Sequence, residues 1–258
     1  TKNLQTLDFD SSRPSSRFYN ESHHAWRREL RKFVDREMMP FADEWEEAGA
    51  IPLELYKKAS DFGLLRMGYP EEYGGIKEGL DRFHSIVTSE ELARIGAGGV
   101  NASLMVHGIG LPPILAIGDA AMKQRIAPPV LAGDKRISLA ITEPSGGSDV
   151  AQLKTRAVRE GDHYIVNGSK IFITGGMRAD YITTAVRTGG PGMGGISLLL
   201  IEANTPGVSR TNLKKQGWWA SDTAAIYFQD VRVPVENLIG GENQGFIGIM
   251  LNFNGERL

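Results

Sequence analysis

"ITEPSGGSD", residues 141–149, joins an apolar run to a proline and then to four residues of minimal side-chain bulk, Ser145 to Ser148. Two readings of it are open. A surface turn is satisfied by Pro144-Ser145-Gly146 alone. The chain goes on, however, to Gly147, Ser148 and Asp149, which adds exposed N–H groups and brings the Ser148 hydroxyl within a few residues of Thr142. A backbone of that kind can cradle a pyrophosphate.

The texture of the chain changes just before this stretch. Ahead of it, Trp26, Leu30, Phe33, Val34 and Met38 recur at helical spacing before Pro40, and Phe41, Trp45, Leu55, Ala59 and Phe62 suggest more helix. Gly49 and Gly63 stand where helices should stop. After the loop "GYPEEYGG", helical segments are predicted around 81–95 and 100–117, then a short one opened by Asp119 and closed by Pro128. From about residue 136 the segments "ISLAIT", "TRAV", "HYIV", "KIFIT", "YITTAV", "ISLLLIEA" and "AAIYFQDVRV" are short and rich in β-branched and aromatic residues. Turns are predicted at Glu160-Gly161-Asp162 and Asn167-Gly168. Beyond Gly240-Gly241 the pattern is helical again, with Phe246, Ile249, Met250 and Phe253 on one side, and the sequence stops within that pattern. The expected fold is α+β and multidomain. It has a helical domain (1–136), an antiparallel β-barrel-like middle domain (137–241) and, at 242–258, the first helix of a C-terminal helical bundle whose remainder is absent.

Composition narrows the function. With 258 residues and 41% hydrophobic content the chain can bury a sizeable core. A formal net charge of −2, with basic residues dispersed among acidic ones, sets nucleic-acid binding aside. The absence of cysteine excludes disulfides, thiolate metal sites and a cysteine nucleophile. No stretch approaches the ~18–20 apolar residues of a membrane span. His23, His24, His84, His107 and His163 show no metal-ligand spacing with carboxylates and read as structural or solvated, so no metal site is expected.

Three further motifs compete for a role. "TGGPGMGGIS" (188–197) is glycine-rich, yet a strand-like segment follows it where a dinucleotide loop requires a helix, so a hairpin loop is expected. Trp218-Trp219 is either a ligand platform or, as aromatic pairs at the edge of a β domain more often are, part of a core or interface. In "KIFITGG" (170–176), period-two alternation puts Phe172 and Thr174 on one side of a strand, an aromatic and a hydroxyl suited to a flat heteroaromatic ring. A buried Phe and a surface Thr remain the plain alternative.

Taken together, "LAITEPSGGSDVAQLKTRAV", "VNGSKIFITGG" and "WWASDTAAIYFQDVRVPVENLIGGENQGF" resemble, in order, three long segments of the acyl-CoA dehydrogenase family, over about residue 20 to the last. The resemblance implies an FAD enzyme of β-oxidation and fatty acid metabolism. It would be a homo-oligomer, dimer or homotetramer, that dehydrogenates an acyl-CoA to the trans-2-enoyl-CoA and passes electrons to an electron-transfer flavoprotein. By position, Leu139, Ala140, Ile141, Thr142, Glu143, Pro144, Ser145, Gly146, Gly147 and Ser148 would run along the flavin, Ser148 also nearing the CoA moiety. Phe172, Ile173 and Thr174 would form the other contact. Many relatives carry Trp in place of Phe172. A bacterial cytoplasm and a mitochondrial matrix fit equally.

In the long-chain and isovaleryl-CoA branches the catalytic base lies on the first helix after the β domain, in a segment similar to "NFNGERL" (252–258). Glu256 falls on that base, and Asn254, Gly255 and Arg257 on substrate-binding positions. Elsewhere in the family the base lies farther into the C-terminal bundle. Spacing adds that Glu256, three residues after Phe253 and seven after Ile249, sits on the apolar stripe of its helix. A glutamate that merely reaches solvent is the alternative. Three functions stay open: the dehydrogenase, a same-fold acyl-CoA oxidase or flavin monooxygenase, and a non-catalytic binding fragment.

Overall fold

The computed structural model describes residues 17–256, with side-chain surroundings for residues 17–251. Helices come first. In α1 (Glu21–Glu37) Asn20 caps the N-terminus and accepts from Ser22 and His23 N–H, while Leu30, Phe33 and Val34 form its buried stripe. α2 (Ala42–Ala48) and α3 (Leu53–Phe62) end at Gly49 and Gly63, whose φ of 72° and 99° lie in the left-handed region, as the sequence predicts. α4 (Arg82–Ala93), capped by Asp81, packs on α1.

Two expectations about helices need correction. The segment predicted around 100–117 is three short helices, α5 (Gly98–Leu104), α6 (His107–Gly110) and α7 (Pro112–Ile117); the break between the last two falls where Pro112 and Pro113 lack the N–H groups a continuous helix would use. Conversely, α8 (Ala120–Leu131), opened by the Asp119 carboxylate as expected, does not close at Pro128. It continues through Pro128 and Pro129, and burial of Val130 and Leu131 holds the last turn against the loss of two donors. Among the described residues no single helix is long and apolar enough to cross a membrane.

The strands β1 (Ile137–Ala140), β2 (Arg156–Glu160), β3 (His163–Thr174), β4 (Tyr181–Arg187), β5 (Ile196–Glu202), β6 (Val208–Asn212), β7 (Thr223–Pro234) and β8 (Leu238–Ile239) form one sheet. Its order is β6-β7-β3-β2-β4-β5-β8, with β1 paired to β4. Most pairings are antiparallel as expected, but β1 runs parallel to β4, and β2 meets β4 in a parallel pair at Arg156 and Arg187. β6 and β8 carry no sequence signal strong enough to be expected. The predicted turn at Asn167-Gly168 is instead a bulge inside β3. There Asn167 exchanges hydrogen bonds with Asp230, whose own φ is 49°, and a Cβ on Gly168 would come 2.7 Å from Thr155.

β5 shows how the sheet joins the helical half. Its side chains alternate between two cores: Ile196, Leu198 and Leu200 pack with α7 and α8 residues, whereas Leu199 and Ile201 pack with Val166, Ile226 and Val233 inside the β half. The helix α9 (Gly245–Glu256) follows the sheet, and its Phe246, Ile249 and Met250 pack into the first of these cores.

Candidate functional site

The stretch 141–149 does contain the plain turn. Glu143 and Gly146 exchange two backbone hydrogen bonds of 3.0 Å around Pro144-Ser145. That turn leaves the following residues unengaged: among the described residues the N–H groups of Gly147 and Ser148 and the hydroxyls of Thr142, Ser148 and Thr174 have no partner. Thr142 and Thr174 are half-buried, so their free hydroxyls face a restricted space. The two glycines differ. A Cβ on Gly147 would come 2.8 Å from Thr142 Cγ2, so a larger residue there must displace the Thr142 side chain, whereas a Cβ on Gly146 meets nothing within 4 Å. The fold makes no demand at Gly146.

Not every residue of the strip can offer its side chain. Ala140, Ile141 and Ile173 are buried in the cores, and Glu143 is buried against Lys170; these four present only backbone. Leu139 is half-buried, and Pro144, Ser145, Gly146 and Ser148 are exposed. β3 lies directly beside the strip, because Ile171 N–H donates to Thr142 O at 2.9 Å.

At Phe172 simple alternation fails. The register of β3 against β7 shifts between Lys170 and Ile173, and Phe172 adopts a φ of 61°. Strict period two would group Lys170 with Phe172 and Thr174. The bulge instead sends Lys170 inside, fully buried, and leaves Phe172 67% exposed, with Ile173 buried between Phe172 and Thr174. A bulky residue held in the left-handed region is strained, and such strain is maintained by its surroundings.

Two supporting residues escape the sequence reading. Lys170 Nζ donates to Ile141 O at 3.0 Å and to Glu143 Oε1 at 2.9 Å. Asp222 Oδ2 accepts from Met177 N–H at 2.7 Å and its carbonyl from Gly175 N–H, fastening the turn that follows Thr174. Burial raises the Asp222 carboxyl against the pull of the Met177 N–H and Arg178. Burial likewise pulls Lys170 down to about 8, against Glu143. For Glu143, burial works upward, but the Lys170 charge and the hydrogen bonds from Lys170 and the Thr155 and Lys154 segment outweigh it, so its carboxyl is held low.

Next to the strip, Arg187 fastens the expected hairpin loop between β4 and β5 by donating to the carbonyls of Gly190, Gly192, Ala151 and Leu153. A cleft of about 490 Å³ there is lined by Lys154, Arg156 and Arg187, which favours an anion.

Two of the histidines come together with a carboxylate in the folded chain. His23 and His84 are both buried, and their ring nitrogens gather with Asp81 within 4.8 Å, a grouping that helix packing creates and spacing could not reveal. Hydrogen bonding accounts for it. Each imidazole Nδ1 accepts from the N-cap N–H of its own helix, Asn20 for His23 and Asp81 for His84, while His23 Nε2 lies 2.8 Å from the Asp81 carboxylate. Two helix N-termini converge at this point, and their dipoles oppose a bound cation. Trp218 and Trp219 belong to no core: they are 61% and 53% exposed, with Trp218 packed on the Gly98-Gly99 backbone. Asn254, Gly255 and Glu256 lie on α9, but their side chains fall outside the described surroundings, and Arg257 lies outside the described residues.

Fold and strip together give a helical domain packed on a β sheet, with the Phe172 ring exposed and, among the described residues, unengaged hydroxyls at Thr142, Ser148 and Thr174 and unengaged N–H groups at Gly147 and Ser148. The family profiles "Acyl-CoA dehydrogenase, N-terminal domain" and "Acyl-CoA dehydrogenase, middle domain" match residues 20–134 and 138–231. Acyl-CoA dehydrogenase apdG of Emericella nidulans is 41% identical over 261 residues, an alignment covering 94% of this chain and 60% of that protein. A probable acyl-CoA dehydrogenase from Mycobacterium abscessus superposes with a TM-score of 0.89 at 50% identity, covering 93% of this chain and 64% of that one. An acyl-CoA dehydrogenase complexed with FAD from Bacillus anthracis superposes with a TM-score of 0.83 at 32% identity, covering 93% of this chain and 41% of that one. The chain belongs to the acyl-CoA dehydrogenase family and spans about 60% of the length of the curated relatives it matches. FAD is the cofactor of this family of flavoprotein oxidoreductases, and homotetramers are typical of it.

Proposed function

We propose that this protein dehydrogenates an acyl-CoA thioester between its α- and β-carbons, giving the trans-2-enoyl-CoA. The observation that carries the reading is the set of unengaged donors, Thr142, Ser148 and Thr174 hydroxyls with Gly147 and Ser148 N–H, beside the exposed Phe172. This donor set fits FAD: neutral hydroxyls suit the polar edge of a flavin, and two adjacent free N–H groups suit its pyrophosphate. Bound FAD supplies the acceptor for the hydride that leaves the β-carbon.

The chain's own residues do the rest. Thr142 and Thr174 orient the ring, and the bare backbone at Gly146 lets it approach. The basic cleft at Lys154, Arg156 and Arg187 is suited to the phosphates of a CoA tail passing Ser148. Glu256, carried on α9, is proposed to take the α-proton, with Asn254, Gly255 and Arg257 lining the substrate beside it. Phe172, standing at the surface, leaves the ring edge reachable by an external acceptor, for which an electron-transfer flavoprotein is proposed. The working division of the chain is 1–136, 137–241 and 242–258.

Anaerobic addition of acyl-CoA to the FAD-loaded protein should bleach the flavin band. Reoxidation by an electron-transfer flavoprotein faster than by dioxygen then separates the dehydrogenase from an oxidase. Absence of bleaching across short, branched and long acyl-CoAs overturns the reading.

A further inference from the structure

We infer that the buried Lys170–Glu143 pair is a positioning device that sets the spacing between the two walls of the flavin site, the strip at 141–148 and the end of β3. The inference rests on the FAD-binding reading above. Lys170 is 0% exposed, an unusual place for a lysine, and the pair joins three separate segments. Its ammonium holds the strip through Ile141 O and Glu143 Oε1. The Glu143 carboxylate holds the residues leading into β2, accepting from Lys154 N–H at 2.6 Å and Thr155 N–H at 2.8 Å. Lys170 itself is the last residue of β3 in register with β7 before the bulge that projects Phe172. Ile171 N–H to Thr142 O completes the tie.

Stability alone does not account for such a pair, since well-packed neutral replacements of buried ion pairs are often neutral or stabilising. What a neutral replacement cannot reproduce is the ammonium drawing the Ile141 carbonyl and the Glu143 carboxylate onto one point. That point lies one residue on either side of Thr142 and four residues before Thr174 in the chain. The positions of both free hydroxyls therefore depend on it, although neither Lys170 nor Glu143 offers its side chain to the ligand.

The test compares the parent with Lys170→Met/Glu143→Gln, which leaves no charge unpaired and keeps one acceptor oxygen, where the carboxylate had two, for the Lys154 and Thr155 N–H groups. Lys170→Met alone, which strands a buried carboxylate, serves as the folding control. Thermal unfolding of the apoprotein, FAD affinity by quenching of flavin fluorescence, and the shape of the long-wavelength absorbance band of bound flavin are measured. The double variant is expected to unfold cooperatively, at a temperature lowered by no more than roughly 10 °C, to bind FAD at least tenfold more weakly, and to show an altered band. A double variant that melts like the parent and binds FAD with parental affinity and spectrum overturns the positioning role while leaving the FAD reading intact. So does one whose lost affinity is matched by a collapsed melt, because the pair is then a folding element only. A parent that binds no FAD removes the functional reading beneath it.

Discussion

Gly146 and Gly147 are neighbours whose replacement by alanine should have opposite effects, and the pair separates what the fold needs from what the ligand needs. In Gly147→Ala the new methyl comes 2.8 Å from Thr142 Cγ2 and 3.2 Å from its Oγ1. Overpacking of that kind costs about 1–3 kcal/mol. In a chain of this size that lowers the melting temperature by roughly 2–10 °C. In Gly146→Ala nothing lies within 4 Å and φ is outside the left-handed region, so the methyl is tolerated. Reduced freedom of the unfolded chain should raise stability by about 0.4–1 kcal/mol. The same methyl fills the open space where the flavin site is proposed, and FAD affinity should fall at least tenfold, about 1.4 kcal/mol. Differential scanning calorimetry of the apoproteins and FAD titration of each provide the two axes. A Gly146→Ala protein that binds FAD as the parent does would refute the idea that bare backbone is there for the cofactor.

Three other outcomes are expected. Glu256→Gln should leave FAD bound and abolish bleaching by acyl-CoA; an active variant places the base elsewhere. His107 is buried with Nε2 3.0 Å from Leu65 O, and burial depresses its pKa to about 4. The unfolded chain therefore binds more protons between about 6.5 and 4, so stability falls over that window by an amount on the order of 3 kcal/mol, and His107→Leu should flatten the urea midpoint against pH there. Asp81 is held at about 2, mainly by its hydrogen bond to His23 and then by His84. Its depressed value means that the stability it confers is present above the unfolded value near 3.8 and is lost as pH falls toward 2; Asp81→Asn should shift the acid-denaturation midpoint upward.

Much of the architecture is legible in local chemistry. Asp119 announces the start of α8, Gly49 and Gly63 announce helix ends, and the short β-branched and apolar run of β5 announces a strand, because capping, left-handed φ and strand preference are decided within a few residues. The turn within 141–149 is legible for the same reason: Pro144-Ser145-Gly146 closes on itself through Glu143 and Gly146.

Only the folded chain decided the rest. The meeting of His23 with Asp81 and His84 depends on α1 packing against α4, across some sixty residues of sequence. The path of α8 through Pro128 and Pro129 depends on a core that outweighs two missing donors. Most of all, strict alternation would put Lys170 on the same side as Phe172 and Thr174, and a single extra residue in β3 sends Lys170 inside instead. Pattern and capping are properties of neighbours in the chain. A bulge is set by the partner strand and by the carboxylate waiting to receive a lysine, and neither is a neighbour in sequence.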